Sequence, residues 1–147
     1  MKITDDELLR QLGRAYLLMH RRIDRTMTMR GASLAQTKLL FYVERHDGRA
    51  RAVDIAELFG QAPRTVTQAL DALERDGLIF RTTDPDDRRV KRLGITDAGR
   101  RAIAATEPLR RDLVQHLFAR FTDEDRLHMS DCLAKLIDRL GLPDAEA

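Results

Sequence analysis

Pro63-Arg64-Thr65-Val66-Thr67-Gln68-Ala69-Leu70-Asp71-Ala72-Leu73-Glu74-Arg75-Asp76-Gly77 is the stretch on which the fold turns. Val66, Ala69, Leu70 and Leu73 recur at helical spacing, the inward stripe of an amphipathic helix. Pro63 suits the first helical position, where its missing N–H costs nothing, and Gly77 stops the helix. Arg64, Thr65, Thr67 and Gln68 then project from the first turns of the opposite face. Arginine pairs bidentately with guanine, glutamine with adenine, and threonine meets a thymine methyl or a phosphate. Taken alone, the segment is equally an ordinary amphipathic helix with a solvated face.

Its neighbours narrow the choice. Upstream, Val53, Ile55, Ala56 and Leu58 predict a short helix ending at Gly60, and Gln61-Ala62 joins the two helices tightly. Downstream the period changes. Leu78 to Thr82 is strand-like, Asp84-Pro85-Asp86-Asp87 is turn chemistry, and Val90 to Ile95 returns as a second strand with Leu93 and Ile95 on one face. The result is a β-hairpin whose segment carries Arg81, Arg88, Arg89, Lys91 and Arg92. An arginine at such a tip can enter a minor groove. A carboxylate beside it can aim the guanidinium, and on an extended strand Asp87 and Arg89 point the same way. Asp87, Arg88, Arg89 and Lys91 are therefore candidate DNA contacts. A charged tip that shields an edge strand from aggregation explains the same residues. Gly94 stands where a strand side chain is expected and predicts a loosened second strand.

Long amphipathic helices flank this unit. Leu8, Leu12, Ala15, Tyr16, Met19, Ile23 and Met27 share one face of a first helix that Gly31 ends. Ser33 caps a second helix from about Leu34 to Arg45, with Leu39, Leu40, Tyr42 and Val43 inward. Thr96 opens a helix toward Arg120 that Pro108 is expected to kink or divide. Thr122 caps the last helix, with Asp123, Glu124 and Asp125 in its first turn. Leu127, Met129, Leu133, Leu136, Ile137 and Leu140 form its apolar face, and Pro143 to Ala147 is expected to fray. The fold class is mainly α with a small β-hairpin wing.

Composition limits the function. A chain of 147 residues suits one domain, and a net charge of +2 permits a nucleic-acid partner without requiring one. Aromatic residues make up only 5%, with no tryptophan, which favours duplex DNA over a single strand that needs stacking platforms. No apolar run reaches membrane-spanning length, and the acidic N-terminus lacks a signal-peptide core. Cys132 has no internal disulfide partner, so a cytoplasmic location is expected. No phosphate loop, metalloprotease motif or nucleophile elbow is present, which argues against an enzyme. His20, His46, His116 and His128 are scattered, so neither metal nor cofactor is expected.

The run from Asp84 to Arg100 resembles the wing and wing exit of MarR-type regulators. Asp87-x-Arg89 matches the acid-x-Arg at the wing tip, and Ile95-Thr96-Asp97-Ala98-Gly99 matches the Thr-x-x-Gly that opens the next helix. Thr65 to Ile79 is similar to the family's recognition helix and its exit, and Ser33-Leu34-Ala35-Gln36 to the start of its second helix. The resemblance implies a single domain over residues 1–147. Residues 33–99 would be a winged helix-turn-helix for DNA, and residues 1–30 and 100–142 dimerisation helices. It further implies a homodimer on a pseudo-palindromic duplex, with a repressor's function and a small-molecule effector, an aromatic acid among the candidates. Tyr16, His20 and Tyr42 are candidate lining for that effector, or plain core packing. The alternatives are a winged helix that binds protein, and a redox-responsive regulator using Cys132. That thiol lies on the last helix, whereas the family's redox sensors mostly place theirs near the first.

Overall fold

The computed structural model describes residues 2–141. They form α1 (Asp5–Met29), α2 (Leu34–Arg45), α3 (Ala52–Phe59), α4 (Pro63–Arg75), β1 (Ile79–Thr83), β2 (Lys91–Ile95), α5 (Asp97–Phe118) and α6 (Asp123–Leu140). The fraying expected for Pro143–Ala147 lies outside the described residues.

The predicted caps fix the helix starts. The Ser33 hydroxyl accepts from the Gln36 N–H at 3.3 Å, and Thr96 accepts from the Gly99 N–H at 3.0 Å. Thr122 and Asp125 exchange hydrogen bonds as a capping box. Each such cap contributes roughly 1 kcal/mol to its helix. Pro108 neither ends nor divides α5, which continues through it from Asp97 to Phe118. Only one N–H is lost there, and the rest of the ladder carries the helix on either side.

The core lies between α2, α3, α4 and the hairpin. Val43, Ile55, Val66, Leu70, Leu73 and Leu93 are almost completely inaccessible to solvent. Burying an aliphatic side chain of this size contributes about 1.5–3 kcal/mol. The short helix predicted from Val53, Ile55, Ala56 and Leu58 is α3, capped by Gly60, and Val53 lies on its outer side. It shares α3 with Ile55 and Ala56, but it is 60% exposed because only one side of this two-turn helix meets the core.

The hairpin is antiparallel, with Ile79 opposite Ile95 and Arg81 opposite Leu93. It begins at Ile79, one residue later than the sequence predicts. The Leu78 N–H is still donated to the Leu73 carbonyl at the end of α4. Ala50 adds a single-residue bridge, accepting from the Leu93 N–H at 2.8 Å. One residue carries no alternation, so its sequence gave no sign of this third strand position.

Two glycines sit at close approaches, one to a side chain and one to backbone. Gly94 does not loosen β2. The Phe80 ring lies over it, and a Cβ there would overlap the ring. Gly99 sits in the first turn of α5 against the Leu78 carbonyl, where a Cβ would overlap backbone. The Thr96 hydroxyl donates to the Gly77 carbonyl at 2.6 Å beside it. The Thr-x-x-Gly motif is thus the joint between the α4 exit, the wing and α5. Gly99→Ala should lower stability by about 1–3 kcal/mol, as overpacking against an immobile neighbour does. Urea unfolding followed by circular dichroism would read this as a lower midpoint. An unchanged midpoint would show that the joint yields freely.

Candidate nucleic-acid interface

Val66, Leu70 and Leu73 turn one side of α4 into the core. The same geometry leaves Arg64, Thr65, Thr67 and Gln68 exposed on its first turns. The N-cap Ala62 offers no side-chain acceptor, and Pro63 has no N–H. The Arg64 and Thr65 N–H groups therefore remain open at a helix N-terminus, a position that favours a negatively charged oxygen. Arg64 has no acidic partner among the described residues.

The wing tip is folded by carboxylates. Asp84 is 8% exposed and accepts from the N–H groups of Asp86, at 2.8 Å, and Asp87, at 3.1 Å. Its other oxygen accepts from the Arg92 guanidinium. The Asp86 N–H, and after it Arg92, hold the Asp84 carboxyl below its usual pKa. Sequence reasoning placed Asp84 in the turn but missed this role. The Asp-x-Asp spacing, which allows side chain to backbone turns, was the available signal.

Asp87 does not aim the Arg89 guanidinium as expected. Its carboxylate accepts from the Arg89 backbone N–H at 2.9 Å. Residues 84–90 form turns and bends rather than extended strand, so side chains two apart no longer point together. A short aspartate then reaches backbone more readily than a guanidinium. Arg88 and Arg89 are exposed, and neither guanidinium has an acidic partner among the described residues. Lys91 donates from Nζ to the Thr83 hydroxyl at 2.8 Å and stays exposed.

The candidate effector residues do not converge. Tyr16 and His20 approach each other on α1, with ring centroids 5.9 Å apart. Tyr42 instead stacks on His46 at 3.9 Å and meets Phe59 edge-on. Burial, with a smaller push from Asp54, raises the Tyr42 phenol above its ordinary pKa. None of the three lines the apolar cavity of about 240 Å³ between α1, α2 and α5.

The chain is thus a winged helix-turn-helix protein, and comparison with known proteins places it more closely. The model of the MarR family matches residues 32–91. The chain is 32% identical over 111 residues to the HTH-type transcriptional repressor MdtR of Bacillus subtilis (strain 168), covering 76% of this chain and 71% of that one. It is similar to MepR of S. aureus, solved in complex with DNA. The identity is 26%, the TM-score 0.69, and the match covers 94% of this chain and 99% of that one. A MarR-family regulator from Rhodococcus sp. RHA1 shares the fold at a TM-score of 0.76 and 21% identity, over 92% of this chain and 96% of that one. The chain belongs to the MarR family of transcriptional regulators. No helix among the described residues is long and apolar enough to cross a membrane.

The lowered Asp84 pKa carries a sign. The carboxylate's contribution is fully present above its unfolded value of about 3.9 and is lost as pH falls through the lower folded value. The protection factors of the Asp86 and Asp87 amides, their slowing relative to the intrinsic rate at the same pH, should therefore be high near neutrality and fall in strong acid. Asp84→Ala should show little protection across the whole range. Equal protection in both proteins at pH 7 would remove Asp84 from the folding of the tip.

Proposed function

We propose that this chain is a homodimeric repressor that reads a pseudo-palindromic DNA duplex with α4 and the wing, and that a small molecule releases it. One observation carries the DNA reading. The exposed Arg64, Thr65, Thr67 and Gln68 on the first turns of α4 share a winged unit with exposed tip arginines that have no acidic partner among the described residues. Arg64, Thr65, Thr67 and Gln68 would enter the major groove, while Asp87 shapes the tip that carries Arg88, Arg89 and Lys91 to the adjacent groove and phosphates. The DNA complex of MepR supports duplex DNA as partner, and the repressor name of MdtR supports the sign.

The flanks support a dimer. No residue of α6 is buried, and Leu127, Leu133, Ile137 and Leu140 are each more than 40% exposed. Leu8, Leu9, Leu12, Leu17 and Leu18 of α1 are similarly open. Apolar surface on this scale is rare on a stable monomer. Residues 33–99 then form the DNA-reading part, with residues 1–30 and 100–142 joining the two copies.

The effector's seat in this reading is the cavity between α1, α2 and α5. Met19, Ile23, Phe41, Leu113 and Phe118 line it. Arg110 at its edge is already engaged by Glu107, which leaves Lys38 to meet the carboxylate of an aromatic acid. Occupancy that changes the spacing of the two winged units by a coupling of about 1–3 kcal/mol would suffice for release.

Selection from a randomised duplex pool at near-physiological salt should return an inverted repeat with half-sites about 10 bp apart. Arg64→Ala and Arg89→Ala should each weaken binding to that site about tenfold or more. Salt-sensitive binding without a motif, unaffected by Arg64→Ala, would sink the DNA reading. Leu133→Glu/Ile137→Glu should convert a dimer into a monomer in sedimentation equilibrium, and a monomeric parent protein would overturn the dimer.

A further inference from the structure

Arg81 lies outside the set of residues proposed to touch DNA, yet its side chain links the wing to α4. Its backbone is held at the centre of the hairpin, opposite the buried Leu93. Its side chain, 23% exposed, reaches back across the unit. Nη2 donates to the Asp71 carboxylate at 2.7 Å, and Nη1 donates to the Glu74 carboxylate. Asp71 and Glu74 are three residues apart on α4, so one planar guanidinium spans neighbouring positions of one helix face. Asp71 also lies seven residues beyond Arg64, on the same stripe of the helix that carries the base-reading side chains.

We propose that Arg81 is a positioning residue that clamps α4 to the wing, fixing the distance between the helix's base-reading side chains and the wing tip. The inference rests on the DNA reading above. The clamp differs from an ordinary surface ion pair in what it joins, not in its strength. Asp71 and Glu74 are 57% and 41% exposed, and pairs this open contribute little to folding. The clamp therefore does little for stability. It joins the two elements at the level of Leu93, the last hairpin residue toward the tip that belongs to the apolar core, so beyond that level the tip has no apolar hold and the clamp limits its swing. A rigid tip places Arg89 in its groove whenever α4 is docked. A swinging tip has to be ordered on every encounter.

The test is a double-mutant cycle on the selected operator, read by fluorescence anisotropy. In the parent protein, Arg64→Ala and Arg89→Ala each reduce affinity about tenfold. Combined with Arg81→Met, which keeps the apolar stem, Arg64→Ala should retain its effect while that of Arg89→Ala shrinks to less than about twofold. Thermal unfolding should shift little. Asp71→Ala/Glu74→Ala removes the same clamp from the helix side and serves if Arg81→Met fails to fold. It also deletes two negative charges from a surface facing phosphates, so electrostatics alone would tighten binding. The clamp requires weaker binding and the same loss of the Arg89→Ala effect. An undiminished Arg89→Ala effect in both backgrounds, or tighter binding by Asp71→Ala/Glu74→Ala, would overturn the clamp and leave the DNA reading standing. If Arg64→Ala and Arg89→Ala have no effect in the parent protein, the DNA reading fails and the clamp falls with it.

Discussion

The packing of Val66, Leu70 and Leu73 against Ile79 and Leu93 is the contact on which the rest of the structure depends. It turns one side of α4 inward, so the opposite side, with Arg64, Thr65, Thr67 and Gln68, has to face solvent. It also seats the hairpin beside that helix. Leu93 is hydrogen-bonded through its N–H to Ala50 and is buried from the α3 side as well. A single apolar cluster thereby sets the direction of a helix face and the root of a wing. Loss of one large aliphatic from such a cluster costs about 2–5 kcal/mol, a large part of the whole stability of a domain this size.

The arginines of the unit divide by partner rather than by position in the chain. Arg51, Arg81 and Arg92 are each held by carboxylates and work inside the protein. Arg64, Arg88 and Arg89 are exposed and have no such partners among the described residues. A guanidinium already in a bidentate pair must give up that pair to meet a phosphate or a base, whereas an open one gives up only water. This distinction is the physical basis for assigning contact to the second group and architecture to the first. The acids follow the same logic: Asp71, Asp84 and Glu74 hold arginines, and Asp87 holds backbone.

Beyond the winged unit, α1 and α6 carry apolar side chains that no other described residue covers, among them Leu9, Leu17, Leu127 and Leu140. Their amphipathic patterns are as clear as those of the buried helices. The difference is that α4 finds its apolar counterpart inside the same chain. The proposed dimer supplies for α1 and α6 what the hairpin supplies for α4.

Much of this was legible in the sequence because local chemistry dictates it. Ser33, Thr96 and Thr122 are caps whose side chains bond to backbone three residues on, and periodicity alone assigns Leu70 and Leu73 to the core. Tertiary structure decided what local pattern leaves open. It exposed Val53, paired Ala50 with Leu93, laid Phe80 over Gly94 and carried α5 through Pro108. It gave the Asp87 carboxylate to backbone and the Arg81 guanidinium to a helix. It sent Tyr42 to His46 and away from Tyr16 and His20. The sequence by itself determined the elements, their order and their inward faces, because those follow from hydrogen bonds and apolar spacing within a few residues. Only the fold decided which charged side chains are occupied and which remain open, because an arginine's partner is set by what packing brings within reach, up to ten residues away in the case of Arg81 and Asp71.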